Sequence, residues 1–154
     1  ALDMLAACTN AAQGASIFIA TAAVADWRVA NSADQKIKKD GSGAVPALNF
    51  VENPDILATL AASARAQSGA LYCVGFAAES HELLAHATAK RARKNVPLLV
   101  GNIGPATFGQ DHNALLLVDE AGVVEFPHAD KLSLSRLLVA DIARRRESWA
   151  AASA

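Results

Sequence analysis

The chain has 154 residues, of which 53% are hydrophobic, and its formal net charge at pH 7 is -1. This length fits a single domain with one core, residues 1–154, and the near balance of 14 basic and 15 acidic residues argues against a general nucleic-acid or membrane-surface binder. No apolar run approaches the roughly 20 residues of a membrane-spanning helix. Any cationic function is therefore expected to be local.

Two cysteines, Cys8 and Cys73, are far apart in the sequence and have no partner at the spacing of metal ligands. We expect reduced core thiols, as is typical of a cytoplasmic protein. The histidines follow no nucleophile–base pattern, and none is assigned a catalytic role: His81, His86, His112 and His128.

An Ala-rich segment over residues 1–12 predicts a first helix. The apolar run 17–21 predicts a strand over residues 16–25, followed by a polar loop over residues 27–35. A continuous apolar run is typical of a strand covered on both faces of a parallel sheet. Ligands of such sheets bind beyond the carboxyl ends of the strands, which is where Asp26 falls. Asp26 is thus either a ligand contact or only the cap of the following turn.

Residues 36–43 combine three lysines in four positions with two glycines, Gly41 and Gly43. Neighbouring ammonium groups repel one another unless solvent or an anion neutralises them. The segment is therefore either a solvated surface turn or a mobile flap whose lysine closes on a phosphate. Residues 45–51 predict a short extended piece.

Residues 53–55 predict a helix start, in which Asn53 can cap, Pro54 suits the first turn and Asp55 complements the helix dipole. Free N–H groups at such an end could also bind the polar edge of a ligand, so both roles remain open. The apolar positions of this helix fall on one face: Ile56, Leu57, Leu60, Ala61 and Ala64.

A second apolar strand is predicted over residues 71–76, followed by small residues and Glu79. Phe76 lies at its carboxyl end, where an aromatic ring either packs in the core or supports a ligand. The polar end near Glu79 matches the one near Asp26, which indicates one repeated edge of a sheet.

The helix predicted over residues 80–94 has a mixed face. At about 100° per residue, one stripe contains Leu83, Ala87, Lys90 and Lys94. Either this stripe aims the two lysines into a cleft that gathers polyphosphate, or the basic residues complement the helix C-terminus and extend into solvent.

Residues 97–102 predict a third buried strand, and 108–113 a polar loop whose Asp-x-Asn spacing is too weak for a calcium site. Residues 114–118 and 123–126 predict a β-hairpin. A last helix begins near Ser133 and frays through three arginines at positions 144–146. The positions expected to pack inward are Leu134, Leu137, Leu138 and Ile142.

Together these elements predict a three-layer, Rossmann-like α/β fold with a mostly parallel sheet, a C-terminal β-hairpin and a terminal helix. Five segments also occur in the order and approximate spacing seen in bacterial phosphopantothenoylcysteine synthetase, which the sequence resembles over almost its whole length. They are Ala-Ala-Val-Ala-Asp-Trp-Arg at 22–28, Lys-Ile-Lys-Lys at 36–39, Asn-Pro-Asp-Ile at 53–56, Val-Gly-Phe-Ala-Ala-Glu at 74–79 and Lys-Arg-Ala-Arg-Lys-Asn at 90–95.

The resemblance implies a ligase of coenzyme A biosynthesis that joins 4'-phosphopantothenate to L-cysteine with CTP, through an acyl-cytidylate, and releases pyrophosphate and CMP. It makes Lys36 the catalytic flap lysine and places Ala22 and Ala23 near the substrate. It also assigns nucleotide contacts, which would fall on Asp26, Lys36, Asn53, Pro54, Asp55, Ile56, Phe76, Lys90 and Lys94.

The same resemblance implies a cytoplasmic homodimer that uses Mg²⁺, with no metal ligands assigned, and FMN only where a decarboxylase is fused. No nucleic acid or membrane partner is expected. The family's Gly-rich N-terminal half, with its Asn-x-Ser-Ser-Gly region, is not in this sequence. The chain is therefore expected to be the C-terminal two-thirds of such a domain and to be weakly active or inactive alone. The alternative is a nucleotide-binding or dimerisation module without catalysis of its own.

Overall fold

The computed structural model describes residues 1–32, 35–38, 41, 43, 47–103, 107 and 109–152, and the side chains of residues 103 and 152 are left aside. Parts of three predicted segments lie outside the described residues. They are Lys39 of the cationic run, Val45 at the start of the extended piece and Phe108 of the polar loop.

A first helix and strand are followed by two short strands and two short helices, then by a strand, a helix, three consecutive strands and a terminal helix. In order they are α1 (Leu2–Ala12), β1 (Ile17–Ala20), β2 (Trp27–Val29), β3 (Phe50–Glu52), α2 (Ile56–Ala61), α3 (Ala64–Gln67), β4 (Tyr72–Glu79), α4 (Leu83–Lys94), β5 (Leu98–Ile103), β6 (His112–Val118), β7 (Val123–Asp130) and α5 (Lys131–Ala152).

Five strands form one sheet in the order β1-β4-β5-β6-β7, and β2 and β3 form a separate ribbon. The pairs β1–β4 and β4–β5 are parallel, whereas β6 is antiparallel to both β5 and β7. Only β6 therefore runs against the other strands of this sheet. The predicted mostly parallel sheet, C-terminal β-hairpin and terminal helix are confirmed.

Side chains alternate across the sheet and build a core on each of its faces. On one face, Leu57 of α2 and Ala87 of α4 belong to the same buried cluster as Leu99 of β5. On the other face, Leu138 of α5 packs with Val100 of β5. Helices thus cover both faces, as a three-layer fold requires. Among the described residues, no helix combines the length and the apolar character needed to cross a membrane.

Two glycines let the helices of the first face approach the sheet. A Cβ on Gly75 would lie 2.6 Å from Leu57 Cδ2, and one on Gly101 would lie 2.9 Å from Leu83 Cδ1. Both distances are well inside the optimal separation of carbon atoms, about 3.5–4.0 Å. The positions of α2 and α4 over the sheet therefore depend on these two glycines.

The first strand is less buried than its sequence predicts. It ends at Ala20 rather than at Ala25, and it lies at an edge of the described sheet, where Ile19 is 37% exposed. Ile17 and Phe18 still pack on the two opposite cores. Strand order, which composition does not reveal, decides how much of an apolar strand is covered.

Residues 27–29, predicted as part of a polar loop, instead form a strand of the ribbon. β2 pairs antiparallel with β3, so that Trp27 faces Glu52 and Val29 faces Phe50. Side chains opposite one another in such a pair share a face. Trp27, Val29 and Phe50 therefore share one mostly apolar face with Glu52, and Trp27 and Phe50 are each 61% exposed on it.

The predicted boundaries of α2, α4 and α5 are also wrong. The helix after Asn53 stops at Ala61, and Ala64, predicted to be buried, is exposed and begins α3. α4 begins at Leu83 rather than residue 80, because Glu82 adopts a left-handed φ of 46° that a helix interior does not allow.

In α5, Leu137 is 54% exposed rather than packed inward. The helix also does not fray at residue 144, but continues to Ala152. Arg145 is held there by ion pairs with Asp141 of the same helix and with Asp119 between β6 and β7. A long-range contact thus keeps the last turns helical.

Both cysteines are free, as predicted. Cys73 is buried in β4, and this burial raises the pKa of its thiol to about 11, which keeps the thiol protonated and unreactive. Cys8 of α1 is half-buried and packs against the same core.

Candidate active site

The lysine stripe of α4 faces two carboxylates near the carboxyl end of β4. Lys90 Nζ lies 3.7 Å from Glu79 Oε1, and Lys94 Nζ lies 2.5 Å from Asp55 Oδ2. Helix side chains lean toward the helix N-terminus, and the N-terminus of α4 follows the end of β4. Both ammonium groups are therefore directed toward the sheet edge where α/β proteins bind ligands.

The burial of these two lysines distinguishes between their two predicted orientations, into a cleft or into solvent. The side chains of Lys90 and Lys94 are only 29% and 18% exposed, which is low for lysine. Arg91 instead turns to the end of the helix, where it donates a 3.1 Å hydrogen bond to the Val96 carbonyl. The two lysines thus point inward, whereas Arg91 satisfies the helix C-terminus.

Asp55, and not Asn53, caps α2. Asp55 Oδ1 accepts a 3.0 Å hydrogen bond from the backbone N–H of Ala58, so the prediction of an Asn53 cap is wrong. Burial alone would raise the pKa of the Asp55 carboxyl, but the hydrogen bond from Ala58 and the interaction with Lys94 outweigh it and lower the pKa. One carboxylate therefore caps α2 and pairs with Lys94.

Two substitutions of Asp55 should distinguish how much the helix cap and the ion pair each contribute to the free energy of unfolding. We expect Asp55→Ala to cost about 1 kcal/mol of unfolding free energy, because it removes both. Asp55→Asn should cost only about 0.3 kcal/mol, because asparagine also caps and a half-exposed ion pair is screened by solvent. Urea unfolding at pH 7 measures both values, and equal losses would contradict the division.

The pH dependence of this effect has a definite sign. The pKa of Asp55 is lowered in the folded state, so its carboxylate stabilises the protein above its usual pKa of 3.8 and loses this contribution as the pH falls through the folded pKa. The difference between the wild type and Asp55→Asn should therefore disappear in acid.

Asn53 joins the turn after β1 to the start of α2. Its backbone N–H donates to the Asp26 carbonyl at 2.7 Å, and its Nδ2 donates to the Ala25 carbonyl at 2.8 Å. Arg28 donates to Asn53 Oδ1 at 3.2 Å and to the Glu52 carbonyl at 2.7 Å. The structure thus brings Asp26 next to the residues that precede α2. Arg28 was not predicted as part of this arrangement, because its partners are 24 and 25 residues away.

The remaining predicted residues differ in what they can offer a ligand. Ala22, Ala23 and Asp26 are exposed after β1, so backbone and carboxylate are both accessible. Pro54 is half-buried, and Ile56 is 6% exposed with its side chain in the core. Only backbone groups of Ile56 are therefore available for binding.

Two predicted residues are not brought into contact with the lysine stripe. Phe76 packs against the core on the α5 face of the sheet, opposite the face that α2 and α4 cover. Lys36 is exposed and forms no ion pair with any residue that the structure describes. A ligand of this edge would have to reach across the end of β4 to meet Phe76.

The fold is that of a Rossmann-like α/β domain, and its charged residues lie beyond the strand ends, where such domains bind ligands. Residues 1–145 match the family described as "DNA/pantothenate metabolism flavoprotein C-terminal domain". The chain belongs to this family.

Relatives and solved structures agree with the family. The chain is 40% identical over 149 residues to the coenzyme A biosynthesis bifunctional protein CoaBC of Escherichia coli (strain K12), covering 94% of this chain and 36% of the relative. It thus spans about a third of the length of the curated relatives it matches. The crystal structure of the C-terminal domain of a CoaBC protein is 28% identical, with a TM-score of 0.71 over 96% of this chain and 63% of that one.

A more distant structure shares the fold alone. It is a mutant of Cab2 in complex with phosphopantothenate-cysteine, 22% identical with a TM-score of 0.51, over 70% of this chain and 34% of that one.

Proposed function

We propose that this chain is part of a phosphopantothenate–cysteine ligase of coenzyme A biosynthesis. Its substrates would be 4'-phosphopantothenate, L-cysteine and CTP, with an acyl-cytidylate as the intermediate. Membership in the family and the CoaBC relatives support the ligase. The Cab2 neighbour holds phosphopantothenate-cysteine, which is the product such a ligase would form.

The single observation in the structure that carries the proposal is the inward-facing pair Lys90 and Lys94. The carboxylate of the substrate must approach the triphosphate of CTP to form the acyl-cytidylate, and the two anions repel each other. Positive groups fixed beforehand at that place lower the barrier, because they need no reorganisation during the reaction. The ion pairs with Glu79 and Asp55 fix Lys90 and Lys94 facing inward, which supports this role.

The other residues would have separate tasks. Lys36 would supply a further positive charge from its exposed segment when CTP is bound. Asp26 is poorly suited to polyphosphate and better suited to accept hydrogen bonds from ribose hydroxyls or the base. Asn53, Pro54, Asp55 and Ile56 would offer backbone groups to the cytosine edge, Phe76 would contact the nucleotide from the other face, and Ala22 and Ala23 would line the substrate.

The residues at this edge also fit Mg²⁺. The ion usually keeps several waters and binds one or two carboxylates together with substrate phosphates. Glu79 lies beside Lys90 at the end of β4, so its carboxylate oxygens are candidates for this role. The bound ion would neutralise charge on the triphosphate, while the protein groups orient it.

The test is pyrophosphate release with CTP, 4'-phosphopantothenate and Mg²⁺, with and without cysteine. The chain should be assayed alone and as a fusion in which the preceding segment of the Escherichia coli relative is joined to Ala1. We expect the fusion to release pyrophosphate. If it releases none, the ligase proposal fails.

A second candidate is a nucleotide-binding or dimerisation module without catalysis of its own, and the exposed ribbon favours it. The same assay separates the two. A chain that binds CTP but turns over in neither form would be such a module, whereas turnover only in the fusion would assign the catalytic residues to both segments.

We also infer that the protein is a homodimer in the cytoplasm, where free thiols such as Cys8 and Cys73 are typical. The apolar face of the ribbon supports the dimer, since Trp27 and Phe50 are large and mostly exposed.

Trp27→Asp should shift the dimer to monomer in analytical ultracentrifugation, because burial of the charge would be unfavourable. Leu137→Asp on α5, where the side chain is 54% exposed, is the matched control and should leave the dimer intact. A dimer that survives Trp27→Asp would exclude the ribbon as its interface.

A further inference from the structure

A group of potential metal ligands lies at the connection between β4 and α4. His81, Glu82 and His86 each place one ligand atom within 4.8 Å of those of the other two. The rings of His81 and His86 meet edge to face, with their centroids 5.2 Å apart. Two imidazoles and a carboxylate therefore converge, although the sequence alone predicted four scattered histidines.

The local backbone explains this convergence. His86 lies one helical turn after Glu82, so that His86 Nε2 is 3.9 Å from Glu82 Oε2. Glu82 itself has a φ of 46°, a left-handed conformation that residues other than glycine rarely adopt. This turn returns His81 to the side of the helix that carries His86.

Neighbouring side chains address one nitrogen of each ring and leave the other for a ligand. Ser80 Oγ lies 2.7 Å from His81 Nδ1, and Glu79 Oε2 lies 3.7 Å from His86 Nδ1. With Nδ1 facing these groups, Nε2 is the ring nitrogen directed away from them, and such partners commonly orient metal-binding histidines. Both Nε2 atoms are therefore the nitrogens available to a metal.

We propose that His81, Glu82 and His86 bind one divalent transition-metal ion of the Zn²⁺ type. Two nitrogens and one oxygen suit Zn²⁺ or Co²⁺, whereas Mg²⁺ prefers oxygen ligands. Zn–N bonds of about 2.0–2.1 Å require the three ligand atoms to approach more closely than they do here. His81 and Glu82 are exposed, so rotation of their side chains can close the site around the ion.

This ion is distinct from the Mg²⁺ expected with CTP, but the two regions share Glu79. Oε1 of Glu79 faces Lys90, while Oε2 faces His86. A metal on Nε2 of His86 adds positive charge to the ring, which strengthens its attraction to the Glu79 carboxylate. The bound ion would therefore hold Glu79 in place and, through it, Lys90.

The experiment is isothermal titration of the tag-free chain with Zn²⁺ in excess Mg²⁺, and absorption spectroscopy with Co²⁺ as a second probe. We expect one equivalent to bind. His81→Ala and His86→Ala should each weaken binding at least tenfold, and Glu82→Gln should also weaken it, because it removes the charge and keeps the size.

The matched control is His128→Ala. His128 stacks on His112 with ring centroids 5.5 Å apart. The substitution therefore also removes one histidine of a pair, but in another part of the chain. Its affinity for Zn²⁺ should equal that of the wild type, and circular dichroism should show that every variant is folded. The proposal is overturned if Zn²⁺ does not bind with micromolar affinity, if the His81 and His86 variants bind normally, or if His128→Ala loses binding equally.

Discussion

Replacing Arg145 by alanine should lower the free energy of unfolding by about 3 kcal/mol, because it leaves acidic groups without their main partner in a poorly solvated place. The Arg145 side chain is 11% exposed, and it forms ion pairs with Asp141, 13% exposed, and Asp119, 24% exposed. These contacts connect α5 to the turn between β6 and β7. Urea unfolding followed by circular dichroism measures the loss.

The neighbouring arginine provides the control. Arg144 also pairs with Asp141, but its side chain is 67% exposed. Arg144→Ala should therefore cost less than about 1 kcal/mol, as solvent-exposed ion pairs do. Similar losses for the two variants would show that burial does not determine the strength of this network.

Acid should remove the difference between the wild type and Arg145→Ala. Burial alone would raise the pKa of Asp141, but hydrogen bonds from Arg145 and Arg144 outweigh it and lower the pKa. The ionised carboxylate therefore stabilises the fold above its usual pKa of 3.8, and this contribution is lost as the pH falls through the folded pKa. Unfolding curves at pH 7 and at about pH 2, well below the roughly 3.9 reference for aspartate, test this sign.

Replacing Lys36 by glutamine should lower kcat for pyrophosphate release by about 100-fold or more in the fusion with the preceding segment. The reason is that the lysine would no longer stabilise the negative charge that develops on the phosphates in the transition state. Folding should change by less than about 0.5 kcal/mol, since Lys36 is exposed. The measurement is steady-state kinetics with CTP as the varied substrate, together with urea unfolding of the same protein.

Lys38→Gln is the matched control for this prediction. It changes the net charge by the same amount in the same exposed segment, two residues away. If the charge of the whole segment attracts CTP, the two variants should be equally slow and the effect should weaken with salt. A large loss for Lys36→Gln alone would instead assign the role to that one side chain.

The parts of the fold that follow from short-range periodicity could be predicted from the sequence. The buried strand around Val74, the β-hairpin of β6 and β7, and the stripe that joins Ala87 to Lys90 and Lys94 all depend on spacing within one element. The direction of the two lysines follows from the same helical geometry.

Features that depend on distant residues could not be predicted in this way. β2 is only three residues long, and its partner β3 begins 21 residues after the last residue of β2. The last turns of α5 are held through Asp119, and Ile19 is exposed because of where β1 lies in the sheet. Asn53 and Asp55 are both good caps, so only the hydrogen bond to Ala58 distinguishes them.

The candidate site divides in the same way. The inward lysines were recognisable from their stripe, whereas their pairing with Glu79 and Asp55 depends on how α4, β4 and α2 pack together. The position of Phe76 on the α5 face follows from the alternation of side chains along β4. That a ligand would have to reach across the end of β4 to meet Phe76 depends on which face α2 and α4 cover, and this does not follow from the sequence.

If CTP and a second subunit bind as proposed, Asn53 would link assembly of the domain to ligand binding. Its backbone and side chain hold the turn before the ribbon, while the next residues lead into α2. A nucleotide that contacts Asn53 and a second subunit that covers Trp27 would therefore act on the same short hydrogen-bonded segment. Because coupling between two binding events is reciprocal, any factor by which CTP strengthens association of the subunits must equal the factor by which association strengthens binding of CTP.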